Sequence, residues 1–152
     1  MRIHRLCRMA HRRLDGEGAR RFGGRWNQPG SAVVYTSSTL ALAALEYLVH
    51  VDPVDAPHDL VALTLTIPDD VSVTDVAIDQ LPTQWARSTE SAACLAIGDA
   101  WLAAGKTLLL RVPAAPVPEE VNLLINVRHP EARRVRVSAE RPFRFDPRLV
   151  RK

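Results

Sequence analysis

The sequence predicts a compact α+β domain, and three observations lead to that class. The chain has 152 residues, which matches one domain and suffices to bury a core without disulfides or metals. Short segments rich in β-branched residues, separated by turn signals, recur along the chain. Only two segments carry the composition and start signals of longer helices. We therefore expect one domain over residues 1–152 with more strands than helices.

The first third of the chain is predicted as strand, loop, strand and helix. Residues 1–8 form a short strand with imperfect alternation, and glycine and proline turns over 14–31 indicate a long loop. Residues 31–36 are rich in β-branched side chains and predict a second strand. Hydroxyl residues at 37–39 then offer an N-cap to a helix over 40–50. Because this helix is apolar nearly all round, we expect it to be buried.

The rest of the chain is predicted to contain one more helix and several strands. The helix covers 90–104 and ends at Gly105, a residue that suits a helix C-terminus. Closely spaced prolines after residue 112 interrupt regular pairing. The predicted strands are 60–67, 71–76, 106–113, 133–138 and 142–146, with a short apolar piece at 122–126 and turns at 79–82 and 128–130.

The net charge of +3 hides an uneven distribution. Residues 1–25 carry eight arginines and two acids, and residues 128–152 carry nine basic residues and three acids. The intervening residues 26–127 carry three basic residues and twelve acids. Basic ends suit nucleic acid, a phosphorylated small molecule or an acidic partner, and they equally suit a solvated surface. A nucleic-acid-binding module is thus an alternative function, weakened by an aromatic content of 5%.

Location and metal binding are constrained by what the sequence lacks. The longest apolar runs, 40–51 and 107–117, are shorter than the roughly 20 residues that cross a bilayer. No apolar secretory segment follows the basic N-terminus, so we expect a cytoplasmic protein without membrane contact. Cys7 and Cys94 are far apart, and the histidines have no metal-ligand spacing. We therefore expect two reduced, buried thiols and no metal site.

The first candidate site is the segment Gly23-Gly24-Arg25-Trp26-Asn27. Glycines allow the backbone to approach a ligand, and an arginine fork can hold phosphate or ribose oxygens. The same residues also fit a turn with a surface arginine and a core tryptophan. Their spacing is not that of a P-loop or of a dinucleotide fingerprint.

Three further polar residues are candidates, each with a structural alternative. Glu46 is the only charged residue within 26–51, so it either faces a cleft or lies on a solvated stripe or in an ion pair. Tyr35 ends a predicted strand and either stacks on a flat ligand or packs in the core. Asn122 and Asn126, four residues apart, either bind a ligand or satisfy loop backbone.

Two groups of short motifs together cover nearly the whole chain. The first group is Gly16-x-Gly18-Ala19, Gly23-Gly24-Arg25-Trp26-Asn27, Val34-Tyr35-Thr36 and Leu42-Ala43-x-Leu45-Glu46. The second group is Leu95, Gly98-Asp99-Ala100-Trp101-Leu102, Leu109-x-Arg111-Val112-Pro113, Val117-Pro118, Asn122-x-Leu124-Ile125-Asn126 and His129-Pro130. In their order and spacing, these motifs resemble the RES-domain family.

The resemblance implies a fold, an activity and a partner. The fold is similar to that of ADP-ribosyltransferases, with small β-sheets and flanking helices that frame a cleft for NAD⁺. The implied activity is that of a toxin that degrades NAD⁺ at the nicotinamide–ribose bond, by hydrolysis or phosphorolysis and without a prosthetic group. Transfer of ADP-ribose to a protein is the alternative. The implied partner is an Xre-like helix-turn-helix antitoxin that blocks the cleft, and DNA is reached only through that antitoxin.

The family is named for an Arg, a Glu and a Ser, which the resemblance places at Arg25, Glu46 and position 114. Arg25 is implied to hold the pyrophosphate or ribose, and Glu46 to stabilise positive charge that develops on the ribose. The remaining residues implied to form the NAD⁺ site are Trp26, Asn27, Tyr35 and Asn122, with Tyr35 against the nicotinamide and with Trp26 and Asn27 shaping the wall of the pocket.

Position 114 departs from the family pattern because it is Ala114 instead of serine. Alanine cannot make the hydrogen bonds of a hydroxyl group. Three explanations follow. The activity is weakened or lost, a neighbouring residue supplies the hydroxyl, or the serine was removed so that the toxin could be produced.

Overall fold

The computed structural model describes residues 1–87 and 91–149, and its strands form one mixed seven-stranded sheet. The strands are β1 (Arg2–Arg8), β2 (Val33–Ser37), β3 (Leu60–Thr66), β4 (Val73–Asp75), β5 (Leu109–Pro113), β6 (Val121–Asn126) and β7 (Arg136–Pro142). The sheet order is β4-β5-β6-β2-β1-β3-β7, and only β4 and β5 pair in parallel. Three α-helices accompany it: α1 (Glu17–Phe22), α2 (Leu40–Leu48) and α3 (Ala92–Ala104). The predicted α+β class is confirmed.

The central strands are buried on both faces of the sheet. On β5, Leu109 belongs to one hydrophobic cluster and its neighbour Leu110 to the other. On β6, Leu123 and Ile125 face the first cluster, while Leu124 faces the second. This division follows from the two-residue period of a strand, which sends successive side chains to opposite faces. The sheet therefore lies between two apolar layers, which explains the continuous apolar runs in its strands.

Helix α2 starts as predicted but is buried on one side only. The Thr39 hydroxyl accepts a hydrogen bond from the Leu42 amide at 3.0 Å, which is the expected N-cap. Leu42 and Ala43 are buried, whereas Leu45 is 43% exposed and Val49 is 62% exposed. The prediction of an all-round buried helix was therefore wrong. The helix packs against the sheet with one face, and its apolar character continues onto the surface.

Helix α3 packs on the second cluster. The Ser91 side chain accepts a hydrogen bond from the Cys94 amide, and the helix ends at Gly105, which has a φ of +58°. The predicted end is thus confirmed. Glu90, at the predicted start, lies outside the described residues. Cys94 on this helix is buried and reduced, as is Cys7 on β1, in agreement with the prediction.

Two predicted segments differ from the structure. The loop over 14–31 contains α1, whose Glu17 carboxylate receives hydrogen bonds from Arg20 and Arg21 at 2.7 Å each. Such i to i+3 and i to i+4 pairs stabilise a short helix within a glycine-rich segment. Near the C-terminus, a 3-10 helix (Pro130–Arg134) and the single strand β7 replace the two strands predicted at 133–138 and 142–146. Pairing with β3 sets the extent of β7.

The two basic segments of the chain converge in the fold. Strand β3 pairs with β1 on one side and with β7 on the other, so the first and last strands lie in the same half of the sheet. Arg12 and Glu140 approach to 3.8 Å across this region. Among the described helices, none has the length and apolar composition to cross a membrane.

The two halves of the sheet are weakly joined at its centre. Strands β1 and β2 share a single residue pair, His4 opposite Ser37, whereas β1 and β3 pair over seven positions. The small sheets implied by the resemblance are therefore two halves of one sheet. A cavity lies beside this junction.

Candidate functional site

The candidate site is a cavity of about 830 Å³, within the usual size range of small-molecule sites. It is bounded by β1 and β2 at the weak junction, by α1 and the glycine-rich turn after it on one side, and by α2 on another. The turn after β5 and the start of β6 complete the wall. Polar side chains that line it include His4, Arg5, Arg25, Ser37, Glu46 and Asn122.

The Glu46 carboxylate is held by a chain of hydrogen bonds from two strands. Asn122 on β6 donates its side-chain N–H to Glu46 Oε1, and its Oδ1 accepts a hydrogen bond from the Ser37 hydroxyl at 2.7 Å. Ser37 and Asn122 are opposite each other in the β2–β6 pairing, which brings these groups together. Glu46 follows the buried Leu42 by one helical turn, so it continues the inward face of α2. The carboxylate thus faces the cavity in a fixed orientation.

Arg5 places a cationic group beside the same cavity. Its Nη2 donates to the His11 carbonyl oxygen at 3.3 Å. Its Nη1 meets no hydrogen-bond acceptor among the residues that the structure describes, but this atom is buried and does not reach the cavity surface. The residue as a whole lines the cavity, so its positive charge favours an anionic ligand group there.

Arg25 lines the cavity together with Glu46, and it also makes contacts with the protein backbone. Its Nη1 donates to the Trp85 carbonyl oxygen at 2.6 Å, and its guanidinium lies 5.8 Å from the centre of the Trp85 ring. A second, longer hydrogen bond reaches the Ala86 carbonyl oxygen. Arg25 therefore ties the 85–86 segment to the cavity wall. Its implied role in holding a pyrophosphate stays a prediction.

Trp26, Asn27 and Tyr35 form an interlocked wall. The Tyr35 hydroxyl donates to Asn27 Oδ1 at 2.7 Å and accepts from the Trp26 main-chain N–H at 3.1 Å. The Asn27 amide nitrogen donates to the carbonyl oxygens of Ala19 on α1 and of Gln28 and Ser31 in the following turn. Asn27 is 1% exposed and is not among the residues that line the cavity, so it supports the wall from behind, and its implied contact with NAD⁺ stays a prediction.

Tyr35 and Trp26 both border the cavity, but most of each side chain is packed or hydrogen-bonded within the cavity wall. Burial raises the pKa of Tyr35 well above its usual value, so this phenol stays protonated and can keep donating to Asn27. The Trp26 ring is 3% exposed and packs against Trp85, with their centroids 6.4 Å apart. The predicted stacking of Tyr35 on a ligand ring stays a prediction.

The two glycines before Arg25 have separate structural reasons. Gly23 ends α1 and has a φ of +71°, a backbone conformation that residues other than glycine rarely adopt. A Cβ on Gly24 would lie 2.6 Å from the Tyr35 hydroxyl oxygen. The pair therefore lets the chain turn sharply and then pass close to Tyr35. This places the next two residues, Arg25 and Trp26, in the wall.

Position 114 does not face the cavity. Ala114 is 0% exposed and is absent from the cavity lining, although Pro113 and Ala115 on either side border it. Its main-chain N–H donates to the Glu120 carbonyl oxygen at 2.9 Å. The implied role of the family serine at this position stays a prediction. Asn126, the other asparagine of the sequence pattern, is also buried and accepts from the Arg128 amide, which is a loop-satisfying role.

Arg5, Ser37 and the cavity histidines were not predicted as site residues. Arg5 alternates along β1 with the apolar Ile3 and Cys7, which the structure shows to be 1% and 7% exposed. The three positions share one face of the strand, and the middle one is charged. His4 also lines the cavity, and its pKa is lowered by burial and by the nearby Arg2.

Metal binding finds no support in the side-chain arrangement. Within residues 1–87 and 91–149, no three or more His, Cys, Asp or Glu side chains are grouped as metal ligands. The polar groups that line the cavity are one carboxylate, amide and hydroxyl groups, imidazole rings and guanidinium cations.

Comparisons with known proteins agree with the sequence motifs and with the fold. The model of a family described as RES domain matches residues 1–146. The "Prs ADP-ribosylating toxin" of Sphingobium sp. strain YBL2 is 39% identical over 141 residues, which cover 91% of this chain and 88% of that protein. A "Toxin Res" of Yersinia enterocolitica is 37% identical over 136 residues, or 88% of either chain. A "Toxin Res" of Photorhabdus laumondii is 33% identical and covers 99% of this chain and 98% of its own.

A solved structure shares the fold. One chain of the crystal structure of the M. tuberculosis MbcT–MbcA toxin–antitoxin complex superposes with a TM-score of 0.79. The match covers 94% of the present chain and 84% of that chain, with 21% sequence identity. At this identity the similarity concerns the fold alone.

Proposed function

The chain belongs to the RES-domain family, and from that premise we propose that it is the toxin of a bacterial toxin–antitoxin module, with NAD⁺ as its substrate. The proposed reaction breaks the bond between nicotinamide and ribose. Hydrolysis then yields nicotinamide, ADP-ribose and a proton, whereas phosphorolysis yields nicotinamide and a phosphorylated ADP-ribose. NAD⁺ acts as a substrate and not as a resident cofactor.

The observation that carries the proposal is the pairing of one oriented carboxylate with cationic groups in one cavity. Glu46 is held by Asn122, and Arg5 and Arg25 both line the cavity. A dinucleotide offers matching groups, since it carries a cationic nicotinamide riboside and an anionic pyrophosphate. The cavity volume of about 830 Å³ lies in the range that suits ligands of this class.

The chemistry needs little from the protein beyond orientation and charge. Nicotinamide leaves as a neutral molecule, so no general acid is required. The ribose that remains develops positive charge, and a nearby carboxylate stabilises that charge in the transition state. We assign this role to Glu46. The Ser37–Asn122 hydrogen bonds fix the carboxylate before substrate arrives, and Arg5 binds a phosphate oxygen so that the ribose is aligned.

We favour a catalytically active protein over an inactive one, although Ala114 replaces the serine of the family pattern. The Ser37 hydroxyl already lies in the cavity lining and bonds to the amide that holds Glu46. A neighbour can therefore supply the hydroxyl function. Since the side chain at 114 is fully buried away from the cavity, Ala114→Ser is expected to change the rate less than twofold.

Transfer of ADP-ribose to a protein is the second candidate. The observation that favours it is the name of the Sphingobium relative, an ADP-ribosylating toxin. The same carboxylate serves both reactions, because the bond that breaks is the same and only the acceptor differs. Hydrolysis and transfer are therefore distinguished by products and not by the site residues.

An antitoxin partner follows from the same premise. The structural neighbour comes from a toxin–antitoxin complex, and uncontrolled loss of NAD⁺ would damage the host cell. We propose an antitoxin of the Xre-like helix-turn-helix class that covers the cavity. Co-expression should yield a complex in which NAD⁺ cleavage is suppressed, and an unchanged rate in the complex would contradict this part of the proposal.

The test of the reaction is product analysis with NAD⁺ in the presence and absence of inorganic phosphate. Free nicotinamide should appear, and the second product identifies the acceptor as water, phosphate or protein. Glu46→Gln should lower the rate by about 10²–10³ while the fold is kept, because it removes one oriented electrostatic contact. The matched control is Glu119→Gln, since Glu119 is exposed and lies outside the cavity lining. A Glu46→Gln protein as active as the wild type would refute the assignment.

A further inference from the structure

Phe22 is an exposed aromatic residue at the edge of the cavity. It is the last residue of α1, it borders the cavity, and it is 83% exposed. A ligand in the cavity that covered this ring would gain the hydrophobic stabilisation that the ring lacks while it is exposed to water. The ring is held at its base, because the next residue, Gly23, donates to the Ala19 carbonyl oxygen at 2.8 Å and closes the helix.

The other aromatic residues of the lining are already engaged. Trp26 packs on Trp85, and the Tyr35 hydroxyl is bonded to Asn27 and to the Trp26 main chain. Tyr47 lies 6.0 Å from the Phe145 ring. Phe22 differs, because within the part of the chain that the structure describes no other ring packs on it. Its faces are thus available for stacking.

We propose that Phe22 is the platform on which the adenine base of NAD⁺ stacks. This inference rests on the function proposed above and assigns the half of the substrate that the reaction does not break. Glu46 takes the nicotinamide riboside, and Arg5 takes the pyrophosphate, which lies between the two nucleosides in NAD⁺. A flat base with apolar faces then needs an exposed ring at the cavity edge, and Phe22 offers it.

The charges around Phe22 fit a stacking role better than a second ionic contact. Arg20 and Arg21, which immediately precede it, both pair with Glu17. These pairs lower the pKa of Glu17 to about 2, so the carboxylate stays ionised and the pairs persist at neutral pH. The end of α1 therefore presents an apolar ring flanked by paired charges. Loss of an aromatic ring on which a base stacks weakens binding of that base about tenfold or more.

The experiment measures binding of AMP, which contains the adenine, ribose and one phosphate but no nicotinamide. Isothermal titration calorimetry should show AMP binding to the wild-type protein. Phe22→Ala should weaken it about tenfold, and Phe22→Trp should retain it, because the larger ring still stacks. Ile78→Ala is the matched control, since Ile78 is 52% exposed and lies outside the cavity lining. In parallel, Phe22→Ala should raise the KM for NAD⁺ about tenfold with kcat unchanged.

The outcomes separate this inference from the proposed function. If nicotinamide is released but AMP binds Phe22→Ala as tightly as wild type, or fails to bind wild type, the adenine assignment is wrong. If neither the wild-type protein nor any variant releases nicotinamide, the proposed function is wrong, whatever the result for AMP binding. If Phe22→Ala weakens only a complex with the antitoxin, the exposed ring serves the protein partner and the inference is overturned.

Discussion

Gly98 sets the distance between α3 and the cavity wall, and its substitution by alanine gives a sharp test of the fold. A Cβ built on Gly98 lies 1.8 Å from the Trp26 carbonyl oxygen and 2.7 Å from its carbonyl carbon. Real Cβ atoms essentially never approach a neighbour closer than 3.0 Å, so the helix and the Trp26 backbone must separate by about 1.2 Å. The obstacle is backbone and cannot rotate away.

The expected loss of stability follows from this displacement. Overpacking of a core usually costs 1–3 kcal/mol, and a clash with backbone between two buried segments belongs at the upper end, about 3 kcal/mol. Trp26 is 3% exposed and packs on Trp85, so any shift also loosens an aromatic contact. In urea, a change of this size lowers the unfolding midpoint by about 1–3 M. Tryptophan fluorescence reports the transition, since Trp26, Trp85 and Trp101 all lie in the second cluster.

Gly18→Ala is the matched control for this experiment. Gly18 is inside α1, and a Cβ added there meets nothing within 4 Å. Alanine should therefore leave stability unchanged or raise it by up to about 1 kcal/mol, because alanine favours a helix. A Gly98→Ala protein as stable as Gly18→Ala would show that α3 and Trp26 are not in the contact described.

Three further predictions concern side chains whose partners are equally well defined. Tyr35→Phe removes the hydroxyl that bonds to Asn27 and should lower the free energy of unfolding by about 2 kcal/mol, because a buried polar group then loses its partner. Urea unfolding measures this loss of stability, and an unchanged midpoint would contradict the prediction. Thr39→Ala should lower the free energy of unfolding by about 1 kcal/mol through loss of the α2 cap. Thermal melting should show that Thr39→Ser keeps most of the wild-type stability, because serine also caps the helix. Hydrogen bonds from Ser72 hold the pKa of Glu131 below its ordinary value of 4.5. The ionised Glu131 therefore contributes its full stabilisation above pH 4.5, and this contribution is lost as the pH falls through the lowered pKa. Glu131→Gln should therefore flatten the decline of stability below pH 4.5, and identical urea midpoints against pH for both proteins would argue against this interaction.

The sequence predicted those elements whose signals are local. The Thr39 cap and the apolar stretch after it marked α2, and Gly105 marked the end of α3. The elements that it did not predict depend on distant residues. Strand β7 runs as one strand because β3 pairs along it, and no property of 133–146 alone reveals that partner.

The same distinction applies to the candidate site. Arg25 and Glu46 were recognised by their motif, and the structure brings both to one cavity. Arg5 was overlooked because its inward position becomes evident only when Ile3 and Cys7 are known to face the core. The resemblance implied a wall role for Asn27, but its hydrogen-bond partners could not be predicted, since they are carbonyl oxygens of α1 and of a turn whose shape the sequence does not specify.

The origin of the groups that hold Glu46 affects how such a protein can change during evolution. Ser37 and Asn122 face each other on β2 and β6, which are interior strands of the sheet. Peripheral turns can therefore gain or lose residues without moving the carboxylate, because no turn supplies either group. Divergence in length and in partner contacts is then compatible with an unaltered reaction centre, and insertions should be tolerated at the turns that lie far from this pair of strands.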